Sequence, residues 1–539
     1  MKTSDLDLRD RAALFAELGA VDFDVAVIGG GITGAGIARD AAMRGLSVAL
    51  VEARDFAAGT SSRSSKLVHG GIRYLAQGDM ALVREAALER KAVRSIAPHL
   101  ARRTLFIVPA RNRAAVATFR TGLWTYEKLG SVEADDRHEL WNTERLAQEE
   151  PSLITDELSG AIVYPEYVTD DGRLTLGNVR SASRHGAVVA NYAEVTGIEC
   201  ANGVAKALTV TDQLGQGHTA HLRAKVIVNA AGPWADHIRK LERADAGDRL
   251  ALSKGVHLVV SRERLPIRHT VTMTAADKRG VFVVPRGAVA YLGTTDTFYA
   301  DSEYWPAITT DDVDYLLAAA NRVFRTPPLQ RSDVIALWSG IRPLIAEPGK
   351  KSPSEISRRD EVMESPAGIV TIAGGKLTAY RRMAERIVDL CVKRLGRNGP
   401  VSNTAQEALP GGALTCAPAV LTQQLVEAGI KKPDAERLMM LYGTESVALV
   451  NGGIPAEARH AVLKEGAMTL EDYWVRRSAR ARFDLDSGLA SLRPAADAMA
   501  PLLGWSQGET DRQIDACKAL RALERAALGG VAMSDGDAA

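Results

Sequence analysis

The stretch Asp24-Val-Ala-Val-Ile28-Gly29-Gly30-Gly31-Ile32-Thr33-Gly34 decides the fold of this 539-residue chain. The run that ends at Ile28 is mostly apolar, which is typical of a buried parallel strand. The glycines interrupt this strand, and a helix is predicted from about residue 32 to residue 44, ending at Gly45. A second apolar run, Leu46–Val51, completes a strand–helix–strand unit near the start of the chain.

The glycines Gly29, Gly31 and Gly34 have the spacing GxGxxG, and Glu52 directly follows the second strand. Gly29 permits a tight turn, Gly31 leaves room for a pyrophosphate, and Gly34 lets the helix pack close to the sheet. The pyrophosphate would lie against backbone N–H groups at the helix N-terminus, and Glu52 would accept hydrogen bonds from an adenosine ribose. The pattern predicts a bound dinucleotide, FAD or NAD, in preference to a glycine-rich turn without a ligand.

Further pieces of the same domain lie far downstream. Strands are predicted at residues 225–229 and 368–373, and a helix at 376–394. Segments with strand character between these pieces are 255–260, 281–285 and 289–293. We therefore expect an α/β fold, in which a Rossmann-like dinucleotide-binding domain is built from separated pieces around an inserted strand-rich substrate domain.

The two ends of the chain differ from this central part. A short helix is predicted at residues 4–18, with Ser4 and Asp7 as a capping box, and it would dock on the body rather than anchor a membrane. Beyond a composition shift near residues 400–412, Ala, Leu, Glu and Arg dominate and predict helices. The expected units are an N-terminal extension (1–21), the dinucleotide-binding domain with its interleaved substrate domain (22–405), a helical C-terminal domain (406–528) and a disordered tail (529–539).

Composition excludes several classes of protein. Lys and Arg number 67 and Asp and Glu number 66, a balance that argues against a nucleic-acid binder. The four cysteines are far apart and include no CxxC pair, so neither a disulfide framework nor a metal site is expected, and a reducing compartment fits. No stretch resembles a secretory signal or a membrane span, so we expect a cytoplasmic protein that meets a membrane only at its surface.

Residues 52–75 contain the run TSSRSSKLVHGGIRYL, which resembles the flavin-contact segment of FAD-dependent glycerol-3-phosphate dehydrogenases. Further matches follow in the order of that family: Asn229-Ala-Ala-Gly-Pro-Trp234, Lys254-Gly-Val-His257, Gly293-Thr-Thr-Asp296, Ser339-Gly-Ile-Arg-Pro-Leu344, Ile356-Ser-Arg358, Gly374-Gly-Lys-Leu-Thr-Ala-Tyr-Arg381 and Leu409-Pro-Gly-Gly-Ala413. The resemblance covers roughly residues 22–413 and, more loosely, the C-terminal domain, where Trp474-Val-Arg-Arg477 matches.

The resemblance implies FAD as cofactor, glycerol 3-phosphate as substrate, a membrane quinone as electron acceptor and peripheral association with the cytoplasmic membrane. A homodimer is a possible assembly. The expected cofactor-binding residues are Gly29, Gly31, Gly34, Glu52, Thr60, Ser61, Ser62, Lys66, Leu67, His69, Gly232, Gly375 and Thr378. We expect His69 to pack beside a non-covalently bound flavin, although some flavoproteins use histidine as a covalent attachment point.

Oxidation of a secondary alcohol needs a hydride acceptor and a base for the hydroxyl proton. His257 is the candidate base, its alternative being a core histidine. Arg342 could stabilise the alkoxide. A phosphate dianion needs several charged donors, and the candidates in the matched motifs are Arg73, Arg342, Arg358 and Lys376, with Tyr74 as a neutral donor.

Alternative functions remain open at this point. An oxidase that reduces oxygen would use similar site residues. An amine or amino-acid oxidase on the same fold would need to bind only a carboxylate, and a flavin-binding protein without turnover would be expected to lack the site residues. The segment 473–483 carries four arginines, which we expect to pair with acids such as Glu471 and Asp472 or to brace the other domain, rather than to contact a membrane or partner.

Overall fold

The computed structural model describes residues 6–529, apart from 70–79, 216, 348, 351, 358 and most of 113–135. The strands, β1 to β18 in chain order, are Asp22–Ile28, Val48–Val51, Leu67–Val68, Arg102–Ala110, Glu139–Trp141, Gly160–Val168, Val188–Ala190, Ala193–Ala201, Val204–Asp212, Thr219–Asn229, Leu250–Ser261, Thr270–Thr274, Gly280–Arg286, Val289–Gly293, Thr297–Phe298, Val334–Ile345, Asp360–Glu364 and Val370–Gly374.

The α-helices with described bounds are Arg11–Ala20, Ile32–Met43, Met80–Ile96, Thr143–Glu149, Asp171–Arg184, Ala235–Glu242, Thr310–Asn321, Tyr380–Arg394, Pro418–Glu427, Lys432–Tyr442, Gly453–Glu465, Arg480–Phe483, Leu489–Leu503 and Gln507–Arg525. Short 3-10 turns near the site are Thr60–Ser62, Gly232–Trp234 and Leu377–Ala379, and Asp472–Arg477 forms a π-helix.

The first sheet has the strand order β17-β18-β10-β1-β2-β7, with β9 on β10 and β8 on β9. Strands β18, β10, β1, β2 and β7 run parallel. Both faces of β1 are buried, because Val25 and Val27 pack towards the helix Ile32–Met43 while Ala26 and Ile28 pack towards β8–β10. The carboxyl ends of β1, β2, β10 and β18 therefore meet at one edge, where ligands of open α/β sheets bind.

The second sheet has the order β15-β11-β14-β13-β12-β4-β6-β3, with β16 on β11 and β5 on β6. In β11 the buried residues Ser253, Gly255 and His257 stand two positions apart, so they face the same side of the sheet. The register pairs Ser253 with Arg342 of β16 and His257 with Gly293 of β14. The predicted strand segment 255–260 is part of a longer strand, because β11 starts at Leu250 and continues to Ser261.

The N-terminal helix begins later than the sequence predicts. It spans Arg11–Ala20, and Asp10 caps it by accepting a hydrogen bond from the Ala13 N–H. The preceding chain is extended, since Leu6 forms a parallel bridge with Glu465, and Ser4 lies outside the described residues. Phe15 and Leu18 are buried against the first sheet, so the helix docks on the body as expected.

The residues after 418 are almost wholly helical, which confirms the predicted fold class. The boundaries assigned to the domains stay predictions, and the predicted disordered tail lies, apart from Gly529, outside the described residues. Among the residues that the structure describes, we find no helix with both the length and the apolar character needed to cross a membrane.

Candidate cofactor and substrate site

A cavity of about 1030 Å³ opens at the edge of the first sheet and extends across to the face of the second. At one end it is lined by the glycine-rich turn after β1 and by Glu52 after β2. At the other end it is lined by His257 and Gly255 of β11 and by Arg342 of β16. The two sheets therefore contribute opposite ends of one site.

The glycine-rich turn has no room for side chains. Gly29 has a φ of +107°, and a Cβ on it would lie 2.6 Å from the carbonyl oxygen of Ala230. A Cβ on Gly34 would lie 1.9 Å from the carbonyl oxygen of Gly29, so this glycine allows the helix to pack against the turn. Gly31 is the N-cap of the helix, and Gly31, Ile32 and Thr33 line the cavity. An anion is favoured at such a helix N-terminus.

Glu52 is tied to this turn. Its Oε2 accepts a hydrogen bond of 2.7 Å from the Gly30 N–H, and its Oε1 accepts one of 2.9 Å from the Arg54 N–H. Burial raises the pKa of this carboxyl above its usual value. Glu52 lines the cavity at the end of β2, the position from which a carboxylate reaches an adenosine ribose.

The residues 60–69 run along the cavity from the turn towards the second sheet. Ser61 Oγ accepts from the Ile32 N–H at 2.9 Å, and Thr60 Oγ1 donates to the Ile341 carbonyl at 2.5 Å. Thr60, Ser61, Leu67 and His69 line the cavity. The backbone N–H and carbonyl of His69 both bond Thr378 Oγ1 at 3.2 Å.

Two features of this end fit the diphosphate of a dinucleotide such as FAD. The glycine turn is a cradle that any Cβ would fill, and the helix N-terminus offers donors to a diphosphate. The cavity continues without interruption from this cradle to His257. The described residues therefore fit FAD.

His257 is buried beside aromatic side chains. Its ring stacks on Trp338, with centroids 4.7 Å apart and planes 9° apart, and its Nε2 lies 2.9 Å from Ser65 Oγ. A Cβ on Gly293 would lie 2.0 Å from His257 Cδ2, so the imidazole occupies the space that this glycine leaves. Burial, followed by the positive charges of Arg342 and Lys66, lowers the pKa of His257 well below 6.5. The ring is therefore neutral at physiological pH and able to accept a proton.

Arg342 is held in place from several sides. Its NH2 lies 3.0 Å from Thr294 Oγ1, and its NH1 lies 3.2 Å from Asp296 Oδ1. A Cβ on Gly255 would lie 2.3 Å from Arg342 NH2, so this guanidinium also depends on the absence of a side chain. Lys376 lines the same cavity from the turn that follows β18. Arg342 thus brings positive charge to the end of the cavity that contains His257, and Lys376 adds a second cation to the cavity lining.

The cavity brings together most of the residues expected from the sequence. Those that line it are Gly29, Gly31, Glu52, Thr60, Ser61, Leu67, His69, Gly232, His257, Arg342, Gly375 and Lys376. Gly34, Ser62, Lys66 and Thr378 do not line it. Arg73, Tyr74 and Arg358 lie outside the described residues, so their roles stay predictions.

Lys66 has a partner that the sequence did not reveal. Its Nζ lies 2.5 Å from Asp171 Oδ1 and 2.9 Å from the Ser62 carbonyl, in a buried ion pair. A contact of Lys66 with the cofactor stays a prediction. In the structure the Lys66 ammonium group pairs with the Asp171 carboxylate.

Sequence reasoning missed the residues that orient the two central side chains. Ser65 and Trp338 contact His257, while Thr294 and Asp296 contact Arg342. Ser65, Thr294 and Asp296 lie inside the matched motifs, and this position was the one signal in the sequence that could have pointed to them. Their roles depend on the strand register, which the motifs do not give.

Comparison with known proteins supports FAD as the cofactor. Residues 24–381 match the family described as FAD dependent oxidoreductase, and residues 402–510 match the C-terminal domain of alpha-glycerophosphate oxidase. The L-alpha-glycerophosphate oxidase from Mycoplasma pneumoniae, at 20% identity and a TM-score of 0.56, covers 72% of this chain and 99% of its own, and shows likeness of fold alone.

Closer relatives span nearly the whole chain. The aerobic glycerol-3-phosphate dehydrogenase of Bacillus subtilis (strain 168) is 36% identical over 525 residues, which are 92% of this chain and 94% of the relative. That of Staphylococcus epidermidis is 38% identical over 517 residues, 91% and 92% of the two chains. The solved glycerol-3-phosphate dehydrogenase from Bacillus halodurans, complexed with FAD, is 33% identical with a TM-score of 0.81 over 98% of this chain and 100% of its own. The chain therefore belongs to the FAD dependent oxidoreductases and, among them, to the family of aerobic glycerol-3-phosphate dehydrogenases.

Proposed function

We propose that this protein oxidises sn-glycerol 3-phosphate to dihydroxyacetone phosphate and passes the electrons to a membrane quinone. The observation that supports the proposal is the single cavity that joins the glycine cradle after β1 to His257, Arg342 and Lys376. A neutral base beside one cation, with a second cation on the lining of the same dinucleotide cavity, suits an alcohol that carries a phosphate.

His257 takes the proton of the substrate hydroxyl in this proposal. Its low pKa, caused first by burial and then by Arg342 and Lys66, makes it a proton acceptor at neutral pH. The stacking on Trp338 and the hydrogen bond to Ser65 Oγ fix the ring before the substrate arrives. FAD, the cofactor of the family, supplies the hydride acceptor when it is bound.

Arg342 and Lys376 bind the charged parts of the substrate. Asp296 and Thr294 orient the Arg342 guanidinium, which is about one-fifth exposed and so reaches the cavity. From there it can stabilise the alkoxide that forms as His257 removes the proton, or bind the phosphate. Arg73, Arg358 and Tyr74 stay candidate phosphate ligands on the strength of the matched motifs alone.

The proposed electron acceptor is a quinone dissolved in the membrane, which the resemblance to glycerol-3-phosphate dehydrogenases implies. We accordingly propose that the protein associates peripherally with the cytoplasmic face of the cytoplasmic membrane. Oxygen is the second candidate, because residues 402–510 match the C-terminal domain of an oxidase. A homodimer is a further expectation that light scattering would test.

Anaerobic mixing of the yellow holoenzyme with sn-glycerol 3-phosphate tests the substrate. We expect the visible flavin absorption to bleach, with no response to glycerol or glycine. Unchanged absorption in a protein that contains FAD would refute the substrate, and bleaching by glycine would favour an amino-acid oxidase.

The reduced enzyme then tests the acceptor. We expect a soluble quinone analogue to restore the absorption much faster than air-saturated buffer does. Faster recovery with oxygen, accompanied by peroxide, would identify an oxidase. Flotation with liposomes tests the peripheral membrane association separately.

A further inference from the structure

The C-terminal helical domain supports the cavity without lining it. Among the described residues, the lining ends at Leu377, well before the first helix of that domain at Pro418. The same domain nevertheless contacts residues 52–63, which we call the cofactor loop. This loop contains four of the expected FAD contacts, Glu52, Thr60, Ser61 and Ser62, and the first three line the cavity.

Asp55 of the cofactor loop is the point of contact. It is fully buried, and its Oδ2 lies 2.5 Å from Arg476 Nε. Arg477 donates to both carboxylate oxygens, to Oδ1 at 2.9 Å and also to Oδ2. Asn191 Nδ2 donates to Oδ1 at 3.2 Å. Two arginines of one domain therefore converge on a single carboxylate of the other.

The π-helix Asp472–Arg477 makes this convergence possible. Its wider turn brings two successive arginine side chains to the same side, and such turns are frequent at functional sites. Arg476 is also fixed by Asp472 Oδ1 at 2.7 Å and by Glu471 Oε1 at 2.6 Å, and Arg477 donates to the Glu465 carbonyl at 2.8 Å. The four arginines expected to pair with acids thus include two that join the domains.

Asp55 stays ionised in this position. Burial alone raises the pKa of its carboxyl, but the charges of Arg477 and Arg476 outweigh burial and hold the pKa below its usual value. Removing one partner from such a buried group leaves charge without compensation, which is far more costly than the loss of a surface pair.

The far end of the cofactor loop is held by the same arginine through Tyr304. Arg476 NH1 lies 3.4 Å from Tyr304 Oη, and the Tyr304 carbonyl accepts a hydrogen bond from Arg63. The Tyr304 ring also lies 4.2 Å from the Arg54 guanidinium and 4.7 Å from that of Arg63. Both ends of the loop are therefore linked to the π-helix.

We propose that the ion-pair cluster of Asp55, Arg476 and Arg477 is an interdomain lock through which the C-terminal domain positions the cofactor loop and sets the affinity for FAD. Arg476 and Arg477 are positioning residues, because they act on the cofactor through Asp55 and Tyr304. The inference rests on FAD as the cofactor of the family and is independent of the substrate.

Release of FAD from the full-length holoenzyme on dilution, followed by flavin fluorescence without substrate, tests the lock. We expect Arg477→Met to raise the FAD dissociation constant at least about tenfold, which is ~1.4 kcal/mol of binding free energy. Arg477→Lys keeps the charge but reaches one oxygen instead of two, so we expect a smaller increase.

Arg437→Met is the matched control. Arg437 forms a two-bond ion pair with Glu457, at 2.6 and 2.9 Å, but both residues belong to the C-terminal domain. We expect this variant to lower the melting temperature while leaving the FAD dissociation constant within about twofold, a difference of only ~0.4 kcal/mol.

Two results would overturn the lock. One is an unchanged dissociation constant in folded Arg477→Met, and the other is an equal increase in Arg437→Met. If Arg477→Met yields no folded protein, the milder pair Arg477→Lys and Arg437→Lys decides in the same way. Because no substrate is present, a wrong substrate assignment would leave these results untouched.

Discussion

The substitution Gly255→Ala should disable Arg342 without unfolding the protein. The ideal Cβ at residue 255 lies 2.3 Å from Arg342 NH2, 2.7 Å from NH1 and 2.5 Å from Thr294 Oγ1. Ordinary contacts begin at 3.4 Å, so the guanidinium must move by about 1 Å. The atoms in the way belong to the ends of side chains, and Gly255 has no positive φ, so the backbone can stay in place.

The expected loss follows from this displacement. A shift of about 1 Å in a positioned group costs on the order of 10²-fold in rate. The corresponding loss of transition-state stabilisation is ~2.7 kcal/mol, since each factor of ten is about 1.36 kcal/mol. Arg342 loses its bonds to Thr294 and Asp296 at the same time, so the effect should appear in kcat/KM rather than in FAD content.

The assay is the rate of flavin reduction by sn-glycerol 3-phosphate under anaerobic conditions, together with the melting temperature. Gly247→Ala is the control, because no atom lies within 4 Å of a Cβ at that position and the residue has no positive φ. We expect the control to keep wild-type activity.

A double-mutant cycle makes the reasoning refutable. In an Arg342→Met background, Gly255→Ala should have little further effect, because the group that it displaces is already gone. Full additivity of the two substitutions, or a single variant with kcat/KM within about threefold of wild type, a difference of only ~0.7 kcal/mol, would show that Gly255 does not act through Arg342.

Three further predictions concern other parts of the site. Burial, Arg342 and Lys66 hold the pKa of His257 well below 6.5. We therefore expect kcat/KM to stay level as the pH falls through 6.5 and to decline only at lower pH. A decline that is already complete at pH 6.5 would contradict a neutral His257. Lys66→Met leaves the Asp171 carboxylate buried without its cation. We expect it to lower the free energy of unfolding in urea by about 3–5 kcal/mol. A loss of FAD affinity at unchanged stability would instead support a contact of Lys66 with the cofactor. Gly34→Ala places a Cβ against the Gly29 carbonyl. We expect it to lower the free energy of unfolding by at least about 1–3 kcal/mol, measured by thermal unfolding, and to cause loss of FAD. Normal stability would refute the close packing.

The first sheet could be predicted from the sequence because its signals are local. The apolar run that ends at Ile28, the GxGxxG spacing and Glu52 all lie within 30 residues and specify one strand–helix–strand unit. The structure confirms the helix as Ile32–Met43 and the later strands as Thr219–Asn229 and Val370–Gly374. The ends of these predicted elements differ by up to six residues, as is usual where caps decide the boundary. Four further strands of the same sheet were not predicted: Val188–Ala190, Ala193–Ala201, Val204–Asp212 and Asp360–Glu364.

The N-terminal helix illustrates why an end was misplaced. Ser4 and Asp7 have the spacing of a capping box, but Asp10 is the residue whose side chain caps the helix at Ala13 N. The extended residues before this helix contact the C-terminal domain, where the Leu6 N–H donates a hydrogen bond to the Lys464 carbonyl at 3.3 Å. A tertiary contact across more than 450 residues thus overrides a local signal.

The candidate site was predictable as a set of residues but not as an arrangement. Motif matches named His257, Arg342 and Lys376, and the structure places all three on one cavity. The pairing of Lys66 with Asp171 was not predictable, because the two residues are 105 positions apart and no local pattern links them. Long-range ion pairs depend on how the two sheets meet, which sequence periodicity does not report.

Two glycines help to position His257 and Arg342, which the sequence motifs alone do not reveal. The register of β11 with β14 sets the imidazole of His257 against Gly293, while Gly255 of β11 itself faces the guanidinium of Arg342. A side chain at Gly255 would occupy the volume of the Arg342 guanidinium, and one at Gly293 would occupy that of the His257 imidazole. Each functional group therefore fits only because its neighbouring glycine has no side chain. Rotamer choice at His257 and Arg342 is then restricted by Trp338 and by the hydrogen bonds around Arg342, and the sheet need not adjust when substrate binds. Substitutions at such glycines should therefore reduce the rate more than the stability. The opposite is expected at Gly29 and Gly34, because there the nearest colliding atoms belong to the backbone.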